Sequence, residues 1–269
     1  MGRIDSCFER LKKVGRKGLI TYITAGDPDI DSTLEYMNIL VESGADIIEI
    51  GVPFSDPIAD GPTIQRASER ALNNGIDLNS IFELVGKFRD KNSETPIVLM
   101  GYLNPFEQKG FEKVSIEAQN AGVDGFLIVD LPPEEASQIN GYLSQANLSQ
   151  IFLVAPNSSL SRVNVIKKLA SGFIYFVSVK GVTGDKGIQM KEISENIEVA
   201  KEAVNIPIGI GFGIKKNEDA QQAAVSADAV IVGSALIEII EKSNDKSSCL
   251  SSLASFVLGL RKSIDGVVK

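Results

Sequence analysis

Two carboxyl groups in residues 45–65 stand where acid–base chemistry would need them. Glu49 lies between Ile48 and Ile50 in a run, residues 46–52, that is apolar and β-branched and ends at Gly51 and Pro53. That pattern predicts a short buried strand. A charged carboxylate among isoleucines costs several kcal/mol, so Glu49 must be paired, neutral or functional. Asp60 follows eleven residues later, across a segment stiffened by Pro53 and Pro57. Asp60-Gly61-Pro62-Thr63 then opens a helical pattern carried by Ile64, Ala67, Ala71 and Leu72. Asp-Gly-Pro before a helix is also an ordinary N-cap, which is the plainer reading of Asp60. The functional reading is that the two carboxyls converge on one pocket.

Three glycine-bearing turns add a second chemistry. Gly181-Val182-Thr183-Gly184, Gly211-Phe212-Gly213-Ile214 and Gly233-Ser234-Ala235 each follow a predicted strand, and the last two open helices. Glycine lets the backbone come close and aim several N–H groups at one oxyanion. Each turn alone is only a tight connection; on adjacent strands they predict a phosphate seat. Gly209-x-Gly211-x-Gly213 has the wrong spacing for a dinucleotide fingerprint. Residues 180–189 hold three glycines without a regular period, which suits a lid or a plain surface loop. Tyr22, Met100, Tyr102, Leu127, Val129, Phe152, Tyr175 and Phe212 fall at or near strand ends, as pocket walls or as core. Pro53-Phe54-Ser55-Asp56-Pro57 and Asn104-Pro105-Phe106 place apolar side chains on loops of one rim, either ordering those loops or forming a partner surface.

These residues need a scaffold, and the 269-residue chain supplies a repeating one. Strands are predicted at residues 18–24, 46–52, 96–101, 124–129, 150–154, 172–179, 206–210 and 229–232. Helical stretches are predicted at 32–43, 62–73 with 78–89, 106–120, 133–145, 160–170, 190–203, 218–223, and 235–241 with 249–263. A short first helix starts from the Ser6-Cys7-Phe8-Glu9 capping pattern, and residues 241–248 read as a loop. The strands are continuously apolar, as in a parallel sheet covered on its outer face. Eight such units fit one domain, residues 1–269, folded as a closed α/β barrel of the (β/α)8 TIM type. An open doubly wound sheet is the alternative.

Composition narrows the chemistry further. The chain has no His, two Cys (Cys7 and Cys249) and a formal charge of −8. A zinc site or a Ser-His-Asp triad is essentially excluded, leaving carboxylates, Tyr or Lys for proton transfer. The acidic balance speaks against nucleic acid or an anionic membrane as a general partner. No apolar run approaches a membrane span and the amino terminus lacks a signal peptide's apolar centre. A soluble, reducing compartment, the cytoplasm, is expected.

Residues 53–65, Pro-Phe-Ser-Asp-Pro-Ile-Ala-Asp-Gly-Pro-Thr-Ile-Gln, closely resemble the signature of the tryptophan synthase α subunit family. Thr24-Ala25-Gly26-Asp27-Pro28, Gly181-Val182-Thr183-Gly184 and Gly211-Phe212-Gly213-Ile214 agree in order along the chain. The resemblance implies a barrel lyase that splits indole-3-glycerol phosphate into indole and glyceraldehyde 3-phosphate. It implies no cofactor and no metal on this chain. Its partner would be a pyridoxal-phosphate (PLP) β subunit in an α2β2 heterotetramer, docked through the two apolar loops. By the same resemblance Glu49 is the acid–base group, Asp60 accepts the indole N–H bond, and Thr183 orients Asp60. Gly184, Gly213, Gly233 and Ser234 hold the phosphate, Tyr175 and Phe212 cover the glycerol arm, and Tyr22, Ile64, Met100 and Leu127 flank the indole, with Tyr102 also in the pocket. Three features depart from the family pattern: Tyr22 stands where Phe is usual, Lys180 where a small hydroxyl residue is commoner, and the lid continues with Asp185-Lys186. Other readings are an activating subunit, a free-standing lyase, or another barrel enzyme acting on phosphorylated substrates.

Overall fold

The computed structural model describes residues 2–177, 195, 197–198, 200–201, 204–211 and 213–267. Eight parallel strands run in sequence order around a closed barrel: β1 (Gly18–Thr24), β2 (Ile47–Gly51), β3 (Ile97–Gly101), β4 (Gly125–Ile128), β5 (Ser149–Val154), β6 (Ile174–Val177), β7 (Ile208–Gly211) and β8 (Ala229–Val232). Gly18 of β1 lies opposite Ala229 of β8, and Tyr22 opposite Glu49 of β2. With β1 paired on both sides the sheet has no edge, which rules out the open doubly wound alternative.

Every second side chain of a barrel strand faces the axis. Ile20, Ile47, Val98, Leu127, Ile151, Phe173, Ala229 and Ile231 meet there, and Ile4, Cys7, Phe8 and Leu11 of α1 (Arg3–Lys13) plug the amino-terminal end. Two residues on from Ile20, Ile47, Val98 and Phe173 come Tyr22, Glu49, Met100 and Tyr175. Strand period alone therefore turns Glu49 into the barrel.

Ten further α-helices have both ends among the described residues. They are α2 (Ile30–Glu42), α3 (Pro62–Asn73), α4 (Leu78–Arg89), α5 (Leu103–Lys109), α6 (Phe111–Ala121), α7 (Ser137–Gln145), α8 (Leu160–Leu169), α9 (Asn217–Ser226), α10 (Ser234–Lys242) and α11 (Lys246–Asp265). The additional helices expected after the second and eighth strands are α3 with α4, and α10 with α11.

Register is pinned at the amino-terminal end by one device used three times. Asp46, Asp124 and Asp228 each sit just before a strand and accept from a main-chain N–H at the start of its neighbour. The donors are Leu19 (2.8 Å), Ile97 (2.8 Å) and Ile208 (3.0 Å). Arg261 adds a bond to Asp46, and Arg3 and Arg89 add bonds to Asp124.

Several boundaries differ from the sequence expectation, each for a local reason. The first helix begins at Arg3 with extended Gly2 as its N-cap, so the Ser6-to-Glu9 pattern falls inside it. The helix expected at 106–120 is two helices, because Gly110 takes φ 87 between them. The first of these starts at Leu103, and Pro105 is tolerated in its opening turn, where N–H groups have no intrahelical acceptor. The stretch at 133–145 opens with a 3-10 turn, Pro133–Glu135, before α7. Asp245 caps α11 by accepting from Ser248 N, so the predicted loop at 241–248 ends in helix. Of the helix expected at 190–203, residues 195, 197–198 and 200–201 are helical. The expected lid at 180–189 lies outside the described residues.

Candidate active site

Glu49 sits in the middle of β2 with a relative exposure of 0%. Among the described residues neither of its side-chain oxygens has a hydrogen-bond partner. Burial alone pushes its carboxyl up to about 8, so the neutral acid prevails at neutral pH. On β1, Tyr22 turns its hydroxyl to Thr24 Oγ1 at 3.2 Å. Burial raises the phenols of Tyr22 and Tyr175 well above the usual range, and the charges of Asp60 and Glu49 raise both further. The two phenols thus lie within the field of both carboxyls.

Both tyrosines depend on a glycine at the end of a neighbouring strand. A Cβ on Gly51 would lie 2.1 Å from the Tyr22 hydroxyl oxygen, and one on Gly211 would lie 2.3 Å from that of Tyr175. Only a residue without a side chain leaves room for either ring.

Asp60 is held from the residue that follows β3. Tyr102 O–H donates to Asp60 Oδ2 at 3.1 Å while its oxygen accepts from Ala59 N at 3.0 Å. The Tyr102 ring packs on Phe54, with centroids 5.2 Å apart. Gln65 Nε2 donates to Asp60 O at 2.9 Å, closing the loop onto the first turn of α3. Gly61, not Asp60, is the N-cap of α3, and its helix start has no side-chain cap. The plain capping role for Asp60 therefore fails, and its carboxyl is left to Tyr102. Burial raises the Asp60 carboxyl, and the Tyr102 hydroxyl opposes that shift.

A cavity of about 220 Å³ opens at the carboxyl-terminal mouth, walled in part by Tyr22, Glu49, Ile64, Met100, Tyr175, Gly213, Gly233 and Ser234. Gly233 is the N-cap of α10, and the first main-chain bonds onto it come from Leu236 and Ile237. The N–H groups of Ser234 and Ala235 therefore precede the first intrahelical acceptor. Gly213 has φ 40, a left-handed value that favours glycine. A wider hollow of about 990 Å³ lies at the opposite end, between α1 and residues 205–207, and contains none of these groups.

The structure brings together most of the expected pocket residues but moves others. Leu127 is fully buried in the axial layer with Ile20, Ile47, Val98 and Ile151, and it does not wall the cavity. Tyr102 and Asp60 are also absent from the wall, which Glu49 lines alone of the two carboxyls, and Tyr102 instead holds Asp60. Thr183, Gly184 and Phe212 lie outside the described residues. Phe106 is turned into the core, edge-on to Phe126 at 5.3 Å, so it is no surface residue. The sequence reading missed Val177, Lys215 and Ile231 in the wall, and took Ile214 only as the last residue of a phosphate turn. Strand period from Tyr175 and Ala229 reaches Val177 and Ile231; nothing in the pattern marks Lys215. Among the described residues no group of three or more Cys, Asp or Glu could hold a metal ion.

A closed (β/α)8 barrel with a buried, unpaired carboxyl at its mouth and glycine turns on its last strands has the makeup of a barrel enzyme for a small ligand. The family model described as tryptophan synthase alpha chain matches residues 8–265. Tryptophan synthase alpha chains from Dechloromonas aromatica and Burkholderia ambifaria are 49% and 48% identical over 269 residues, covering 100% of this chain and 100% and 99% of theirs. A crystal structure of tryptophan synthase subunit alpha from Legionella pneumophila superposes with a TM-score of 0.93 at 43% identity, covering 99% of both chains. A chain of the tryptophan synthase α2β2 complex from Pyrococcus furiosus superposes with a TM-score of 0.84 at 40% identity, covering 91% of this chain and 98% of that one. The chain belongs to the tryptophan synthase alpha chain family.

Proposed function

We propose that this chain cleaves indole-3-glycerol phosphate by a retro-aldol reaction to indole and glyceraldehyde 3-phosphate, with Glu49 as the acid–base group. The buried, partnerless Glu49 carboxyl carries this reading. The bond from indole C3 to the side chain breaks only after C3 takes a proton, which places positive charge on N1. A neutral carboxyl facing the barrel axis is suited to give that proton. As the carbon–carbon bond breaks, its electron pair returns to the ring, the side-chain hydroxyl becomes the aldehyde, and its proton returns to the Glu49 carboxylate. The proton ledger then closes within one residue.

Asp60 accepts the indole N–H bond and offsets the charge at N1, which requires its ionised form. The Tyr102 hydroxyl favours that form by donating to Oδ2. Gly213, Gly233 and Ser234 receive the phosphate through main-chain N–H groups at the start of α10, joined by Gly184 from the sixth connection. Tyr22, Ile64 and Met100 flank the ring, Tyr175 and Phe212 cover the glycerol arm, and Thr183 steadies Asp60. No cofactor is assigned to this chain.

The partner is the tryptophan synthase β subunit, which carries pyridoxal phosphate and joins indole to serine. Ile58, 87% exposed on the loop beside Asp60, and a hollow of about 530 Å³ between Pro53-Phe54-Ser55 and Asn104-Pro105 support docking there. The whole chain acts as one barrel domain, working in the cytoplasm; among the described residues no helix is long and apolar enough to cross a membrane.

Purified chain supplied with indole-3-glycerol phosphate, with and without β subunit, tests the proposal. Glu49→Gln is expected to cut indole release by about 10²-fold or more while leaving glycerol 3-phosphate affinity nearly intact. Activity of that variant within tenfold of wild type would remove Glu49 as the acid.

A further inference from the structure

The mouth of the barrel carries an ionic strap that the reaction above does not use. Arg66 and Arg70 lie one turn apart on α3, whose first turn follows Asp60-Gly61. Arg70 grips Asp27, in the connection after β1, through Nε at 2.7 Å and Nη2 at 2.8 Å. Its Nη1 donates to Glu241 of α10 at 3.0 Å. Arg66 adds two bonds to the same Glu241, at 2.6 and 2.7 Å. The Asp27 side chain is 0% exposed, and among the described residues Arg70 is the only cation on it. A two-pronged guanidinium fixes direction as well as distance, so this pair anchors α3. The Arg66–Glu241 pair is more exposed and contributes little alone. Together they tie the middle of α3 to the carboxyl-terminal end of α10, and the two helices pack together.

We infer that Arg70 is a positioning residue that couples the two ends of the substrate site. The inference rests on the site reading above, in which Asp60 precedes α3 and the phosphate seat begins α10. Helices move as rigid bodies, so the spacing of α3 and α10 sets the distance between the ring subsite and the phosphate subsite. A ligand spanning both engages them together only when that spacing is right. Occupying the phosphate end should therefore favour the ring end through the strap, and the converse must hold equally.

Calorimetric titration of the full chain with indole and with glycerol 3-phosphate, singly and together, tests this. In wild type, saturating glycerol 3-phosphate should tighten indole binding by about fivefold or more. Glu241→Ala unties α3 from α10 without stranding a buried charge. It should leave each single affinity within about twofold and reduce the coupling to less than about twofold. Arg70→Gln combined with Asp27→Asn, which keeps the buried pocket neutral, should do the same, and Arg70→Lys should restore part of the coupling. Retention of full coupling in both variants, or its absence in wild type, would overturn the inference. Failure of wild type to bind glycerol 3-phosphate would instead remove the site reading beneath it.

Discussion

Glu49 shows how a side chain's surroundings choose its chemistry. Its carboxyl stays neutral to about pH 8 because it is buried, and among the described residues no hydrogen-bond partner answers it. Two pH effects follow. A step that needs the neutral acid should lose rate as pH rises through about 8, and a kcat/KM profile for indole release would show that limb. Stability should follow the same group. Between about 4.5 and 8 the folded chain keeps a proton that the unfolded chain has released, so stability falls as pH rises across that window. Glu49→Gln should flatten that slope, read by urea melts at pH 5 and pH 8; an unchanged slope would mean the carboxyl is not held neutral. In the sequence Glu49 was conspicuous among isoleucines. Its lack of any partner among the described residues was not, because that depends on which side chains the seven other strands turn inward.

At the scale of elements, the loop from Pro53 to Asp60 takes its shape from a neighbouring strand. The proline spacing and the helix start were legible, but the hydroxyl that holds Asp60 comes from Tyr102, 42 residues away. No local pattern announces such a pairing, and Tyr102 was read as a pocket wall. Tyr102→Phe keeps the ring on Phe54 and removes both polar contacts. Indole release should fall by about tenfold, roughly the worth of one hydrogen bond to a charged group. The acid limb of the pH profile should move upward, since Asp60 loses the donor that favours its ionised form. A limb that stays in place would show that Tyr102 does not support Asp60. Ile58→Asp on the same loop should weaken β-subunit binding, measured by sizing of the mixture, while the isolated chain keeps its melting temperature.

For the molecule as a whole, eight apolar strands and their helices could be counted in the sequence, and the count pointed to a closed barrel without showing the contact that closes it. Closure rests on β1 meeting β8, a contact between the two far parts of the chain that no local window contains. The aspartates that set register were equally hidden: Asp46 and Asp124 read as the first residues of predicted strands, and Asp228 as a polar residue in an ordinary connection. Asp124 accepts from Ile97 N and faces Arg3 and Arg89. Asp124→Ala strands the largely buried Arg89 and should cost about 3 kcal/mol or more in urea unfolding. The folded fraction should keep its turnover number, because the site lies at the other end of the barrel. The tyrosine rings resting on Gly51 and Gly211 bear on a longer timescale. Neither glycine can be replaced by even alanine while its ring stays, whereas the rings can shrink without any change at the glycine. A side chain at position 51 is therefore expected only in relatives with a smaller residue at 22, and one at 211 only with a smaller residue at 175.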